Sequence, residues 1–336
     1  MNVQAQRHES PVRTAIVGAG AIGGLFAAAL ARAGHRVSVL ARGRTLAAIQ
    51  THGIRFFADG ASAQSVRVEA SDDAGALGAQ DYVVLALKGQ ALPDLAASLR
   101  PMIGPDTLVI SAMNGLPWWF LDGLPEAAGA QPLEAVDPGG RVSAVLPAAR
   151  AIGCVVHLSS STVEPGIVKR GRGNRLIVGA ARGEFAGAAR EFAAALRTGG
   201  FDVESSDRIR DDIWAKLWGN MNMNPLSALT GSTADRVLDD PFTHALVLRM
   251  MEEADAIGQR LGLSTGMSAP QRVAVTRELG AFKTSMLQDM EAGRPLEIDP
   301  ILGVFPELGR KLHVPTPFCD AVLGLLRQRA ANNGLR

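Results

Sequence analysis

An α/β domain followed by an all-helical domain is what this chain predicts, and three observations carry the prediction. A short apolar run over residues 12–17 enters a glycine-rich turn and then an Ala/Leu-rich helical stretch. Strand-like and helix-like segments alternate from there to about residue 206. From Asp207 onward the apolar spacing is helical almost throughout. Alternation implies a largely parallel sheet covered by helices, and unbroken helical periodicity implies a separate helical layer. The expected boundaries are a disordered polar tail over 1–11, a nucleotide-binding domain over 12–206 and a helical substrate and catalytic domain over 207–330, with the active cleft between the two domains.

The composition narrows the function classes. At 336 residues the length suits two domains, and 47% hydrophobic with 20% charged residues is the balance of a soluble globular protein. A formal net charge of +1 supplies no general field for nucleic acid or an anionic membrane. Cys154 and Cys319 form no disulfide framework or metal spacing, and the six histidines are scattered singly, so a reducing cytoplasm and no metal are expected. The first 11 residues lack the apolar core of an export signal. The longest apolar-looking run, 23–31, is far too short to span a bilayer and stops at Arg32.

Taken in order, the first strand leads into Gly18, Ala19, Gly20, Ala21, Ile22 and Gly23, then a helix to Ala33, a closing Gly34 and a second strand over 36–40. A GxGxxG turn set between strand and helix is a dinucleotide site of the Rossmann type. Gly18 permits the tight turn, Gly20 lets backbone approach a pyrophosphate, and Gly23 lets the helix pack on the sheet. The helix N-terminus offers free N–H groups to the phosphates. At the end of the second strand NAD sites usually carry Asp or Glu; here the chain reads Leu40-Ala-Arg42-Gly-Arg44. Arg42 can pair with a 2′-phosphate, which predicts NADP(H), with Arg44 as bystander or helper.

Residues 54–57 and 66–70 read as a hairpin around Asp59-Gly60, 81–87 as a buried strand ending at Lys88, and 108–112 as a strand ending before Asn114. Ligands of open parallel sheets lie beyond the strands' carboxyl ends, so Lys88 and Asn114 are candidates for contacting nicotinamide ribose or substrate. Residues 121–150 read as a long irregular excursion, preceded by Pro117-Trp118-Trp119, which either wall a pocket or pack inside. Strands are expected at 151–158, 167–170 and 176–179, with the charge run 169–175 as a solvated hairpin turn. A helix over 184–198 and a strand over 201–205 close the first domain.

The helical half begins with the segment 213–226, in which Lys216, Asn220 and Asn224 recur every four residues among Trp, Leu and Met. At about 3.6 residues per turn these three share one helix face. Asparagine disfavours helix interiors because its amide competes for backbone groups, so three of them in five positions suggest use. Asp207 is the expected N-cap, and Pro225 is expected to end or bend this helix soon after. Further helices are predicted over 241–261, 270–280, 285–293, 301–312 and 317–329.

Together, the Gly-Ala-Gly-Ala-Ile-Gly turn, the run Lys216-Leu-Trp-Gly-Asn-Met-Asn-Met-Asn224-Pro-Leu-Ser-Ala-Leu and the segment Ser285-Met-Leu-Gln-Asp leading to Glu297-Ile-Asp299 resemble the ketopantoate reductase (2-dehydropantoate 2-reductase) family. The motifs run in the family's order from about residue 12 to 330. The resemblance implies a Rossmann domain plus a helical domain, NADPH as cofactor, and hydride transfer to the 2-keto group of 2-dehydropantoate, giving (R)-pantoate for pantothenate. Matched by motif, Lys216 would be the general acid. Asn220 and Asn224 would bind substrate hydroxyls and Ser285 the carboxylate. Glu297 would lie by the cofactor ribose and the lysine, while Lys88 and Asn114 would lie near nicotinamide and substrate. The implied partner is a small 2-oxo acid, and the implied assembly a monomer or homodimer.

The chain departs from the family at Ala234, where a further substrate-contacting Asn is expected, and in the 121–150 insertion. Both leave room for another 2-oxo acid as substrate. A non-catalytic NADPH sensor is a reading from a different class, but a sensor needs no proton donor at Lys216. A β-hydroxy acid dehydrogenase would also pair Rossmann glycines with a helical Lys and Asn, but Arg42 and the 285–297 segment weigh against it.

Overall fold

The computed structural model describes residues 11–57, 63–127 and 132–335. Residues 1–10 of the tail expected over 1–11 and the turn at Asp59-Gly60 lie outside the described residues. The chain divides into two compact units, and neither follows one continuous stretch. The first comprises Met1–Leu87, Asp94–Met113 and Val142–Ile209; the second takes Lys88–Pro93, Asn114–Arg141 and Arg210–Arg336.

In the first unit, β1 (Arg13–Val17), α1 (Ala21–Arg32) and β2 (Arg36–Leu40) form the expected strand–turn–helix–strand. The following elements are α2 (Gly43–His52), β3 (Ile54–Phe57), β4 (Gln64–Val66), β5 (Glu69–Ser71), α3 (Ala74–Leu77) and β6 (Gln80–Leu85). After the short helix α4 (Leu92–Leu95) come β7 (Ile103–Ser111), β8 (Ala151–His157), β9 (Ser160–Glu164), β10 (Ile167–Arg170), β11 (Arg175–Ala180), α5 (Ala186–Thr198) and β12 (Asp202–Ser205). The main sheet has the order β12-β11-β8-β7-β6-β1-β2-β5. All its pairings are parallel except β8 with β11. Because β1 lies between β2 and β6, strand order reverses there, which is where open α/β sheets bind ligands. Ile16, Phe26, Leu30, Val84 and Ile110 are fully buried in the core between sheet and helices.

A second sheet, β4-β3-β10-β9, accounts for two departures from the sequence reading. The predicted strand over 66–70 is split: Val66 ends β4, which pairs antiparallel with β3, and β5 joins β2 in the main sheet. The charge run 169–175 is not a hairpin turn, because β10 pairs with β9 and β3 whereas β11 pairs with β8 and β12. It is the link from one sheet to the other. The strand β9 was not foreseen, since Ser160–Glu164 is largely exposed and lacks apolar alternation.

The second unit is built on α6 (Ile209–Thr230), with α7 (Ala234–Asp239), α8 (Pro241–Arg260), α9 (Ala269–Glu278), α10 (Ser285–Glu291), α11 (Val304–Leu312) and α12 (Pro317–Asn332). A π-turn, Asp299–Gly303, leads directly into α11. The helix α6 starts two residues after the expected cap Asp207, and it does not stop at Pro225. Residues 221–228 are all buried. An internal proline costs about 3 kcal/mol. Burial of Met221, Met223 and Leu226 contributes roughly 1.5–3 kcal/mol each, so packing outweighs the lost hydrogen bond.

The excursion after β7 is folded into the second unit. Trp119 and Phe120 are fully buried, and Phe120 stacks on Trp214 of α6, which in turn packs on Phe305 of α11. Arg210 lies over the Trp119 ring and donates to the carbonyls of Phe120 and Asp122. Glu307 accepts from the backbone N–H groups of Glu134 and Ala135 at 2.7 and 2.9 Å. Trp119 therefore packs inside rather than walling a pocket. Among the described residues no helix is long and apolar enough to cross a membrane.

Candidate active site

In the first unit the glycine turn has the shape a dinucleotide needs. Gly18 adopts φ +97°, and a Cβ there would lie 2.7 Å from the carbonyl oxygen of Ala86. Gly23 presses against the carbonyl of Gly18, leaving no space for a side chain. Gly20 differs: an added Cβ would meet nothing within 4 Å. Protein packing thus explains Gly18 and Gly23, whereas the bare backbone at Gly20 faces open space, as a pyrophosphate's approach requires. The N-terminus of α1 has no side-chain cap and no acidic residue in its first turn, so the N–H groups contributed around Ala21 and Ile22 suit an anion. Ala19 completes the turn. Arg42 follows the end of β2, exposed at the N-cap of α2, with Arg44 two residues on. The residues present therefore fit a nicotinamide dinucleotide.

The remaining candidates all belong to the second unit, and a network joins several of them. Lys88 and Asn114 follow β6 and β7 in the chain, yet both belong to this unit with α6. The Lys216 ammonium donates to Oδ1 of Asn114 at 2.9 Å. With its oxygen so engaged, the Asn114 amide hydrogen-bonds through its NH2 to Glu297. Glu297 is 8% exposed, and its Oε1 also accepts from the backbone N–H of Gly89 at 3.0 Å. Burial pushes the Glu297 carboxyl above its ordinary value. The Gly89 N–H, the Lys88 charge and the Asn114 amide pull the other way, favouring the ionised form. Asn114 thus bridges an ammonium and a buried carboxylate.

Lys88 is held beside this network. Its Nζ pairs with Asp289 at 2.8 Å and donates to the carbonyl of Pro295 at 2.7 Å, while Arg294 takes the other Asp289 oxygen. Asp289 was missed in the sequence, although a lone carboxylate within Met-Leu-Gln-Asp-Met was the available signal. Asn220 is partly buried and Asn224 is 5% exposed; both follow Lys216 along α6, and neither side chain hydrogen-bonds within the described chain. Asn222 is different: it is 1% exposed and donates to the Trp218 carbonyl, so it serves the helix. Ser285 is exposed in the first turn of α10, where Thr284 and not Ser285 is the cap. Ala234 is fully buried, its N–H bonded to the Phe282 carbonyl.

Family models match both halves of the chain. The model for the ketopantoate reductase PanE/ApbA family matches residues 14–183, and that for its C-terminal domain matches residues 208–330. The chain belongs to the ketopantoate reductase family. A 2-dehydropantoate 2-reductase from Mesorhizobium japonicum is 42% identical over 324 residues, covering 96% of this chain and 99% of the relative. Among solved structures, a protein from Ralstonia solanacearum MolK2 assigned to the ketopantoate reductases superposes with TM-score 0.90 at 50% identity, covering 97% of this chain and all of that one. The 2-dehydropantoate 2-reductase of Methylococcus capsulatus superposes with TM-score 0.80 at 27% identity, covering 96% and 98%. As a ketopantoate reductase family member, the chain is an oxidoreductase acting on a small molecule. The family match spans both the glycine turn and the Lys216 network.

Proposed function

We propose that this chain is an NADPH-dependent 2-dehydropantoate 2-reductase, reducing the 2-keto group to give (R)-pantoate for pantothenate biosynthesis in the cytoplasm. The observation that carries the reading is the Lys216 ammonium held by Asn114, whose amide is fixed in turn on buried Glu297. The near full-length likeness to the Mesorhizobium enzyme supports the substrate.

When bound, NADPH supplies the hydride that reaches the keto carbon. Residues 18–23 cradle its pyrophosphate, and Arg42, at a position with no carboxylate, pairs with its 2′-phosphate. Reduction of a ketone builds negative charge on the carbonyl oxygen. Lys216 faces that charge as an ammonium and gives it a proton, acting as general acid. Asn114 sets the lysine's position, and Glu297 fixes Asn114 in turn by accepting from its amide. Asn220 and Asn224 take the substrate's hydroxyl groups and Ser285 its carboxylate. Lys88 and Glu297 border the cofactor's ribose. A second reading, the same chemistry on a different 2-oxo acid, is favoured by Ala234, a buried alanine where the family's further substrate-contacting Asn is expected.

The test is NADPH oxidation by the purified protein with 2-dehydropantoate, pyruvate, 2-oxoisovalerate and benzoylformate. Fast turnover on 2-dehydropantoate is expected, and preference for another acid would keep the chemistry and overturn the substrate. Lys216→Ala is expected to lower kcat by about 10²–10⁴ while NADPH still binds; unchanged kcat removes Lys216 from proton transfer. Arg42→Ala should weaken NADPH about ten- to a hundred-fold and leave NADH little affected. Equal effects on both cofactors would reject the 2′-phosphate contact.

A further inference from the structure

A glycine stands inside the catalytic helix at position 219, three residues after Lys216 and one before Asn220. Glycine in a helix interior is less favourable than alanine by roughly 0.5–1 kcal/mol. The structure explains its presence. A Cβ on Gly219 would lie 2.8 Å from both Cζ and Nε of Arg272 and closer still to Nη2. The Arg272 guanidinium, carried on α9, therefore rests against the backbone of α6 at a spot only glycine leaves open.

This arginine is unlike its neighbours. Arg277, five residues on, pairs with Asp239 and donates to the Leu238 carbonyl. Arg272 is partly buried, and desolvation is the influence pulling its pKa down, with no carboxylate opposing it. Among the described residues, its guanidinium has no ion pair and no hydrogen bond. Arginine stays protonated even so, and a partly desolvated guanidinium without a counter-ion is open to pairing with an anion. Such a group is completed by an anion from outside.

We propose that Arg272 is the counter-ion for the substrate's carboxylate, while Lys216 addresses the keto oxygen on the adjacent carbon. The inference rests on the reading of the chain as a 2-oxo acid reductase. Positions three apart on a helix are surface neighbours, about 5–6 Å between Cβ positions. A guanidinium seated on Gly219 and an ammonium from Lys216 can therefore address the two adjoining carbons of one 2-oxo acid. The planar fork of arginine matches the two oxygens of a carboxylate, which a single hydroxyl such as Ser285 does not. Arg272 would make the enzyme selective for the free acid over neutral carbonyl compounds.

The experiment compares 2-dehydropantoate with its neutral lactone, in the wild type and in Arg272→Met, Arg272→Lys and Gly219→Ala. The wild type should favour the acid. In Arg272→Met, KM for the acid should rise about ten- to a hundred-fold more than KM for the lactone, with kcat falling much less. Arg272→Lys keeps the charge without the fork and should recover part of the discrimination. Gly219→Ala displaces the guanidinium without removing it and should show the same selective loss, although alanine is the better helix former. Calorimetric binding of pantoate and pantolactone gives the same comparison without turnover. Equal losses on acid and lactone, or an unmoved KM for the acid, overturn the proposal and leave Arg272 a packing residue. If the wild type instead prefers another 2-oxo acid, the assigned substrate falls. That acid and its methyl ester then provide the same test of Arg272. A wild type that neither binds nor reduces any 2-oxo acid overturns both.

Discussion

At the scale of single residues, Asn114 decides most. One amide accepts from Lys216 and donates to Glu297, so two groups far apart in the sequence are fixed by a third. Glu297 carries a pH signature. Burial holds its carboxyl above the ordinary 4.5, so the folded protein keeps a proton that the unfolded chain has released. The contribution of this group to stability is thus fullest below about that value and is lost as pH rises through the folded-state pKa. Glu297→Gln has no such loss. Relative to wild type, the variant should gain stability from mildly acidic toward neutral pH, as read from urea midpoints. A difference constant across that range would show that Glu297 is not desolvated as described. Lys216, Asn220 and Asn224 were legible as one helix face, whereas Glu297 was singled out only through the family resemblance. The bridge through Asn114 was not, because no spacing rule links residues 114, 216 and 297.

At the scale of elements, α6 was legible from its periodicity, and its passage through Pro225 was not. A local rule about proline yields where eight successive residues are buried, and burial is a property of the surroundings. The excursion expected over 121–150 makes the same point, and its part up to Arg141 belongs to the second unit. Its Pro, Gly and Ala content reads as an irregular loop, yet Arg210, Glu307 and Lys311 each reach to its backbone. Glu307 answers two N–H groups at once, and its removal would leave both without a protein acceptor. Glu307→Ala should cost about 2 kcal/mol in chemical denaturation. It should also make the chain more susceptible to proteolysis within 114–141. A variant as stable and as protease-resistant as wild type would mean the segment is held by its buried aromatics alone.

At the scale of the whole molecule, the second unit is assembled from three separated stretches. A fragment beginning at residue 210 contains all the long helices of that unit but lacks Phe120, which stacks on Trp214, and Trp119, which packs on Phe120. Aromatic side chains of this size bury roughly 150–250 Å² each, so their absence uncovers a large apolar face. Expressed alone, residues 210–336 should retain helical far-ultraviolet dichroism, lose the sharp near-ultraviolet signal of packed tryptophans and bind a hydrophobic dye. Cooperative unfolding with native-like tryptophan packing would show that the helices alone suffice.

The sequence by itself determined the two architectures, the dinucleotide turn, the Lys–Asn face and the family, because each is written in short-range patterns. A βαβ turn needs its glycines at fixed offsets, a helix face repeats every three to four residues, and both are visible without coordinates. Tertiary structure alone decided which stretches join which unit, where β9 and β5 pair, and that Lys88 is tied to Asp289. It also decided that Arg272 lies on Gly219. Those outcomes depend on which distant groups share a buried environment, and burial is settled only when the whole chain has packed.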